Sequence, residues 1–185
     1  MKNVFFIIGL PRSRTCWLAN FFTYGNSFCY HELSKICYSK PEKFNLLVDT
    51  IKNNEAEFVG ISDSGLPIML DSLMIKFPKA KIVVIERDKN EVVESLKSFL
   101  PKNRLYKFDK TMLIDDMADC INILKGRHKC MTVSFNSLDD KKVVKQMWEY
   151  CVDTPWNDER FNMLDLMNVQ VDNNKYLKEL KAWIT

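Results

Sequence analysis

The sequence lacks several features that would assign it to large functional classes. It has no long block of Lys or Arg, and its formal net charge is only +3 at pH 7, so the charge pattern does not indicate nucleic-acid binding. The first apolar run, residues 4–10, is too short for a signal peptide. No later run reaches the roughly eighteen apolar residues of a membrane span. We therefore expect a cytoplasmic protein that neither inserts into a membrane nor binds nucleic acid.

Metal-ligand and disulfide signatures are missing as well. Only two histidines, His31 and His128, are present. The cysteines show no CxxC spacing, and there are six of them: Cys16, Cys29, Cys37, Cys120, Cys130 and Cys151. We interpret these cysteines as reduced thiols in the core and expect no metal site.

What the sequence does contain is a regular alternation of short apolar runs and helical patterns. The runs predict five strands, at 3–9, 27–31, 58–62, 81–87 and 129–135. Continuous apolar runs such as residues 82–85 are typical of strands that are covered on both faces. We therefore expect an α/β fold, a three-layer α/β/α arrangement with a mostly parallel five-stranded sheet of the P-loop nucleotide-binding type.

Helix signals separate the predicted strands. Periodicity is clearest at 90–100 and 113–124, and a capped amphipathic helix is predicted at 173–185. Asp88, Pro41 and Asp139 are placed to begin helices. The sequence has no repeat or linker, so we expect one domain over residues 1–185. The least regular stretches, 102–108 and 151–160, are candidate lids or substrate loops.

The stretch GLPRSRTCW, residues 9–17, follows the first predicted strand and opens the first predicted helix. In an open parallel sheet, ligands bind beyond the carboxyl ends of the strands, and a helix start also supplies unpaired backbone N–H groups. Pro11 stiffens this turn, Arg12 supplies a planar cation, and Ser13 and Thr15 can donate hydrogen bonds. We therefore expect a site for a phosphate-like anion.

The same turn differs from the loop of nucleoside-triphosphate kinases. Those enzymes carry GxxxxGK[ST], in which Lys contacts the β- and γ-phosphates and Ser or Thr binds magnesium. This chain has neither the second Gly nor the Lys-Ser/Thr pair. The missing pair favours a reaction in which cationic side chains alone neutralise the transferred group, and sulfuryl transfer is such a reaction.

Two segments in the expected order resemble the sulfotransferases that use 3′-phosphoadenosine-5′-phosphosulfate (PAPS). GLPRSRTCWLANFF resembles the family's 5′-phosphosulfate loop, and KIVVIERDKNEVVESL resembles its 3′-phosphate element. Trp17 aligns with a family tryptophan that stacks on adenine, and TVSFNSL is similar to a strand-5 segment that places Phe135 near the same base. The resemblance implies PAPS as cofactor and PAP (adenosine 3′,5′-bisphosphate) as product. It implies these cofactor-binding residues: Pro11, Arg12, Ser13, Arg14, Thr15, Cys16, Trp17, Arg87, Ser95 and Phe135.

The chain departs from the family pattern at three points. Arg14 stands where the loop commonly has glycine, and it is placed either to add a second cation or to point outward and pair with a carboxylate. The KGR segment at 125–127 resembles a late phosphate contact but precedes strand 5, which makes it a weak candidate. The chain is also shorter than typical family members. Taken without the resemblance, the position of Arg87 favours pairing with Glu91 or Glu94 on the following helix, and the resemblance reverses this preference.

The acceptor must lose a proton as it attacks sulfur, so a base is required. Glu32 is our first candidate, and His31 is the second because its ordinary pKa lies nearest neutrality. Asp63 is a third candidate but is better placed to cap a helix beginning at Leu66. The predicted catalytic residues are therefore Arg12, Glu32 and His31.

The predicted function is sulfuryl transfer from PAPS to a hydroxyl or amine on a small-molecule or glycan acceptor. Two alternatives stay open at this point. One is a P-loop kinase for nucleotides or small molecules, which would place ATP on the same loop. The other is a non-catalytic PAP-binding module that keeps the nucleotide site without the reaction.

Overall fold

The computed structural model describes residues 2–38, 40–99 and 110–166. The candidate loop at 102–108 and the predicted helix at 173–185 lie outside the described residues. Within these ranges no helix has both the length and the apolar character needed to cross a bilayer. The same ranges contain no cluster of His, Cys, Asp or Glu side chains able to hold a metal ion.

The five predicted strands form one sheet in which every pairing is parallel. The spatial order is β2-β3-β1-β4-β5, which places the first strand at the centre. The strands are β1 (Asn3–Gly9), β2 (Ser27–His31), β3 (Phe58–Asp63), β4 (Lys81–Glu86) and β5 (Met131–Ser134). The parallel sheet brings all carboxyl ends to one edge, where the segment after β1 lies between the ends of β3 and β4.

Seven α-helices connect and cover the strands in the described part of the chain, with short 3₁₀ turns between some of them. The helices are α1 (Thr15–Phe22), α2 (Phe44–Asn53), α3 (Leu70–Lys76), α4 (Lys89–Phe99), α5 (Lys110–Arg127), α6 (Lys141–Cys151) and α7 (Asp158–Leu166). Asp88 caps α4 as predicted, since its carboxylate accepts from the backbone N–H groups of Asn90 and Glu91. The cap of α6 is Asp140, one residue after the predicted Asp139.

The side chains of β1 show why the sheet has two covered faces. Val4, Phe6 and Ile8 belong to one core cluster, which also contains buried residues of α2, α3, α4 and α5. Phe5 and Ile7 belong to a second cluster with buried residues of α1, α6 and α7. Alternate residues of a strand point to opposite faces, so apolar side chains at every position need helices on both sides. The predicted three-layer α/β/α fold is confirmed.

The candidate lid at 151–160 is corrected by its packing. Arg160 donates to the carbonyl of Thr23 at 2.9 Å, just beyond the C-terminal end of α1, and Trp156 packs against Phe21 with ring centroids 5.6 Å apart. The carboxyl edge of the sheet faces the other end of α1. This segment therefore anchors α1 instead of covering residues 9–17, which we call the anion loop because the sequence predicts an anion site there.

The cysteines are all free thiols, but only half of them lie in the core. Cys29, Cys37 and Cys151 are buried as predicted, whereas the other three are partly exposed. Burial raises the pKa of the Cys29 and Cys151 thiols. Those two thiols therefore stay protonated at neutral pH.

Gly60 shows how closely the core is packed around β3. A Cβ atom at Gly60 would lie 2.2 Å from the Phe5 ring, which is fully buried. We expect Gly60→Ala to lower the free energy of unfolding by about 1–3 kcal/mol, because a fully buried ring must shift to admit the methyl group. Denaturant unfolding monitored by circular dichroism measures this change.

Gly126→Ala is the matched control, because an added Cβ there meets no described atom within 4 Å. Gly126 lies in α5, so alanine should raise stability by roughly 0.5–1 kcal/mol through its higher helix propensity. Equal unfolding midpoints for the two variants would contradict the packing described for Phe5.

Candidate active site

The anion loop and the end of β2 share an uncommon backbone conformation. Arg12, Arg14 and Glu32 adopt φ angles of 66°, 57° and 52°, and within the described residues no other non-glycine residue has a positive φ. The left-handed region costs an L-residue roughly 1–2 kcal/mol. All three residues lie at the carboxyl edge of the sheet, and strain of this kind concentrates at functional sites.

The N-terminus of α1 is left open by the protein. Its N-cap residue, Arg14, makes no side-chain cap hydrogen bond, and the first turn contains no acidic residue. Asp140, in contrast, caps α6 by accepting from the Lys142 N–H at 2.8 Å. Ser13 is fully buried, and its Oγ has no hydrogen-bond partner within the part of the chain that the structure describes. Uncapped N–H groups beside an unsatisfied buried hydroxyl form a cradle suited to an anion.

Arg12 and Arg87 are brought together from the first and fourth crossovers of the sheet. Arg87 donates from Nη1 to the carbonyl oxygen of Arg12. Arg12 donates from Nε to Ser95 Oγ at 3.2 Å. The alternative pairing of Arg87 with Glu91 is also present, but at 3.5 Å it is long. Partial burial, and then the positive charge of Arg87, lower the pKa of Arg12. Two cations held this close attract an anion between or beside them.

Arg14 adopts the second of its two predicted orientations. Its guanidinium points outward and pairs with Asp139 at 2.5 Å. This pair joins residues 125 positions apart in the chain. The loop therefore keeps the left-handed backbone that glycine adopts easily, but the Arg14 side chain is directed to the rim of the site.

The two aromatic candidates occupy different surroundings. Trp17 is 7% exposed, and its ring stacks on Phe21 with centroids 5.2 Å apart, so the structure places it in the aromatic core. Phe135 lies under Arg87, whose Cζ is 3.9 Å from the ring centroid. The adenine contacts suggested for Trp17 and Phe135 stay predictions, and in this structure both rings contact protein groups.

His31 lies close to the anion loop. Its Nε2 is 3.4 Å from Thr15 Oγ1 and 3.9 Å from Glu32 Oε1. Burial lowers the pKa of His31, although the negative charge of Glu32 opposes this effect. Glu32 itself pairs with Lys35, and both side chains are only 14% exposed. His31 is therefore a neutral imidazole beside the loop, whereas Glu32 is already engaged by an ammonium group.

Asp63 is a structural residue. It is fully buried, and its carboxylate accepts from the backbone N–H groups of Ser34 at 2.9 Å and Gly65 at 2.7 Å. Burial raises the pKa of Asp63, while these hydrogen bonds oppose the shift. Asp63 thus fixes the turn after Glu32 to the end of β3, and both of its carboxylate oxygens accept from backbone N–H groups.

The phosphate contact suggested for the KGR segment stays a prediction, and both of its cations are paired with carboxylates in the structure. Lys125 pairs with Glu86, and Arg127 pairs with Asp71 at 2.7 Å. Both cations are therefore occupied by carboxylates.

Two site residues were not predicted from the sequence. Lys35 follows Glu32 by three positions, a spacing at which side chains meet in a helical turn, so the sequence does contain a signal for this pair. Asp139 had no local signal, because its partner Arg14 lies far from it along the chain.

Cys16 is half-buried after Thr15. Burial and the negative charge of Glu32 raise the pKa of its thiol, so Cys16 remains a predicted backbone contact only.

The left-handed conformation of Arg14 leads to a stability prediction. The free energy of unfolding of Arg14→Gly should be about 1 kcal/mol higher than that of Arg14→Ala. Both variants lose the pair with Asp139, but only glycine relieves the strain of the positive φ. Denaturant titration of the two variants compares them directly. Equal stability would show that the loop does not hold the conformation described here.

Solved structures with a similar fold include two enzymes of different kinds, a sulfotransferase and a kinase. A sulfotransferase from Alicyclobacillus acidocaldarius aligns over 98% of this chain and 92% of its own, with a TM-score of 0.58 and 14% identity. A shikimate kinase from Bacteroides thetaiotaomicron aligns over 79% of this chain and 96% of its own, with a TM-score of 0.51 and 13% identity. No protein-family model and no curated relative matches the sequence. These likenesses show an α/β fold of the P-loop type.

Proposed function

We propose that this protein transfers a sulfuryl group from PAPS to a hydroxyl or amine of a small-molecule or glycan acceptor. The observation that carries the proposal is the contact between Arg12, in the loop after β1, and Arg87, at the end of β4. The sequence resemblance assigns these residues to opposite ends of one nucleotide, the 5′-phosphosulfate and the 3′-phosphate. A bisphosphate nucleotide needs both positive groups at one edge of the sheet, and this fold supplies them there.

The loop fits the sulfonate end of such a donor. The buried Ser13 hydroxyl and the uncapped start of α1 offer hydrogen bonds to anionic oxygens, and Arg12 offers a guanidinium. The acceptor oxygen attacks sulfur in line, a new S–O bond forms, and the bond from sulfur to the 5′-phosphate oxygen breaks to release PAP. Arg12 and the loop N–H groups stabilise the negative charge that develops on the leaving phosphate.

His31 fits the role of base better than Glu32, our first candidate from the sequence. The Glu32 carboxylate is held by the Lys35 ammonium, whereas the His31 ring lies against Thr15 of the loop. His31 is neutral near pH 7, and its Nε2 lies close to the loop that would hold the sulfonate. In this proposal His31 removes the acceptor proton, and Glu32, at 3.9 Å, stabilises the imidazolium that forms.

Calorimetry with PAP and ATP tests the assignment. We expect PAP to bind in EDTA, with an affinity at least about tenfold above that of ATP, since a second phosphate contact with Arg87 is worth roughly 1.5–3 kcal/mol. Preferential, magnesium-dependent binding of ATP would contradict the proposal and identify a kinase. PAP binding without PAP formation from PAPS over a broad panel of hydroxyl and amine acceptors would identify a non-catalytic module.

A further inference from the structure

Phe135 lies beneath two guanidinium groups at the edge of the site. The Arg87 Cζ is 3.9 Å from the ring centroid, and the Arg14 Cζ is 5.6 Å from it. The first distance is a direct contact, well within the roughly 6 Å of a cation–π interaction. Phe135 opens the 3₁₀ turn after β5, whose far end carries Asp139, the partner of Arg14.

The ring and the loop backbone together fix how Arg87 is oriented. The ring supports the guanidinium from one side, and the hydrogen bond from Nη1 to the Arg12 carbonyl holds one of its nitrogens in place. The Arg87 side chain is only 14% exposed, so the interaction with the ring is partly desolvated. A guanidinium held this way binds a phosphate oxygen at a lower entropic cost than a mobile one.

We propose that Phe135 is a positioning residue that orients Arg87 toward the 3′-phosphate of the nucleotide, instead of stacking on the adenine. This inference rests on the proposed function, because it requires a 3′-phosphate at Arg87. It predicts that Phe135 contributes to the recognition of PAP through Arg87 alone. A ring that contacts the base would contribute equally to every adenine nucleotide.

The test compares PAP with AMP, which lacks the 3′-phosphate, by calorimetry in EDTA. Phe135→Leu keeps the apolar volume but removes the aromatic face. We expect it to weaken PAP binding about 5- to 30-fold, the range of a partly desolvated cation–π contact, and AMP binding by less than about twofold. Phe135→Tyr retains a face for Arg87 and should restore the preference for PAP.

A double-variant cycle shows whether the effect passes through Arg87. In an Arg87→Met background, Phe135→Leu should cause no further loss of PAP affinity. Equal losses of PAP and AMP affinity, or an unchanged PAP affinity, would overturn the inference while leaving the proposed function intact. Wild-type protein that binds PAP no better than AMP would overturn the proposed function, and the inference with it.

Discussion

Replacing Arg12 with alanine is expected to lower kcat for PAP formation from PAPS about 100- to 1,000-fold. This is the usual effect of removing one hydrogen-bond donor that stabilises developing charge. Arg12 is the cation of the loop after β1, and its backbone is held at a positive φ of 66°. Its guanidinium also contacts Ser95 on α4, so the loss affects the centre of the site. The measurement is turnover at saturating PAPS with an acceptor identified from a hydroxyl panel.

Arg14→Ala is the matched control for this experiment. It removes the same charge two positions along the loop, but this side chain points outward to Asp139. We expect kcat to change by less than about threefold, because an exposed ion pair contributes little. Thermal unfolding of both variants shows whether the fold is retained. A folded Arg12→Ala protein with turnover equal to that of Arg14→Ala would contradict the role of Arg12.

Replacing His31 with alanine should lower kcat about 100- to 10,000-fold, the range for loss of a general base. Burial lowers the pKa of His31, so the imidazole stays neutral and able to accept a proton to a lower pH than an ordinary histidine. The decline of wild-type kcat/KM at acid pH should therefore have its midpoint below about pH 6.5. In His31→Ala this decline should disappear, and added imidazole should restore part of the rate.

Glu32→Gln separates the two candidates for the base. Glutamine keeps the size of the side chain but cannot take up a proton. With His31 as the base, this change should reduce kcat by only about tenfold, because it removes only the charge that stabilises the imidazolium. If Glu32→Gln removes activity and His31→Ala does not, the base is Glu32. That outcome would restore the first candidate from the sequence.

The fold was largely predictable because its signals are local. Each strand was recognised from a short apolar run, and the predicted bounds of β1 and β2 match the structure at both ends. The run predicted at 129–135 is shorter in the structure, where Phe135 already begins a 3₁₀ turn. The strand order could not be predicted, since apolar runs show that strands are buried but not which ones are neighbours.

The site was predictable where residues follow a strand end, and less so where distant segments meet. Arg12 and Arg87 were chosen as candidates because Arg12 follows the first predicted strand and Arg87 closes the fourth. The contact between Arg87 and Phe135 was not predicted, since it depends on the pairing of β4 with β5. The choice between His31 and Glu32 required the contact with Lys35, which depends on how the turn after β2 folds.

A crystal structure of the protein with PAP tests most directly whether Arg12 and Arg87 bind one nucleotide. We expect the 5′-phosphate in the loop after β1, within hydrogen-bond distance of Arg12 and Ser13, and the 3′-phosphate on Arg87. PAP bound away from the carboxyl edge of the sheet, or held with its 3′-phosphate in solvent while Arg87 stays on Glu91, would contradict the assignment.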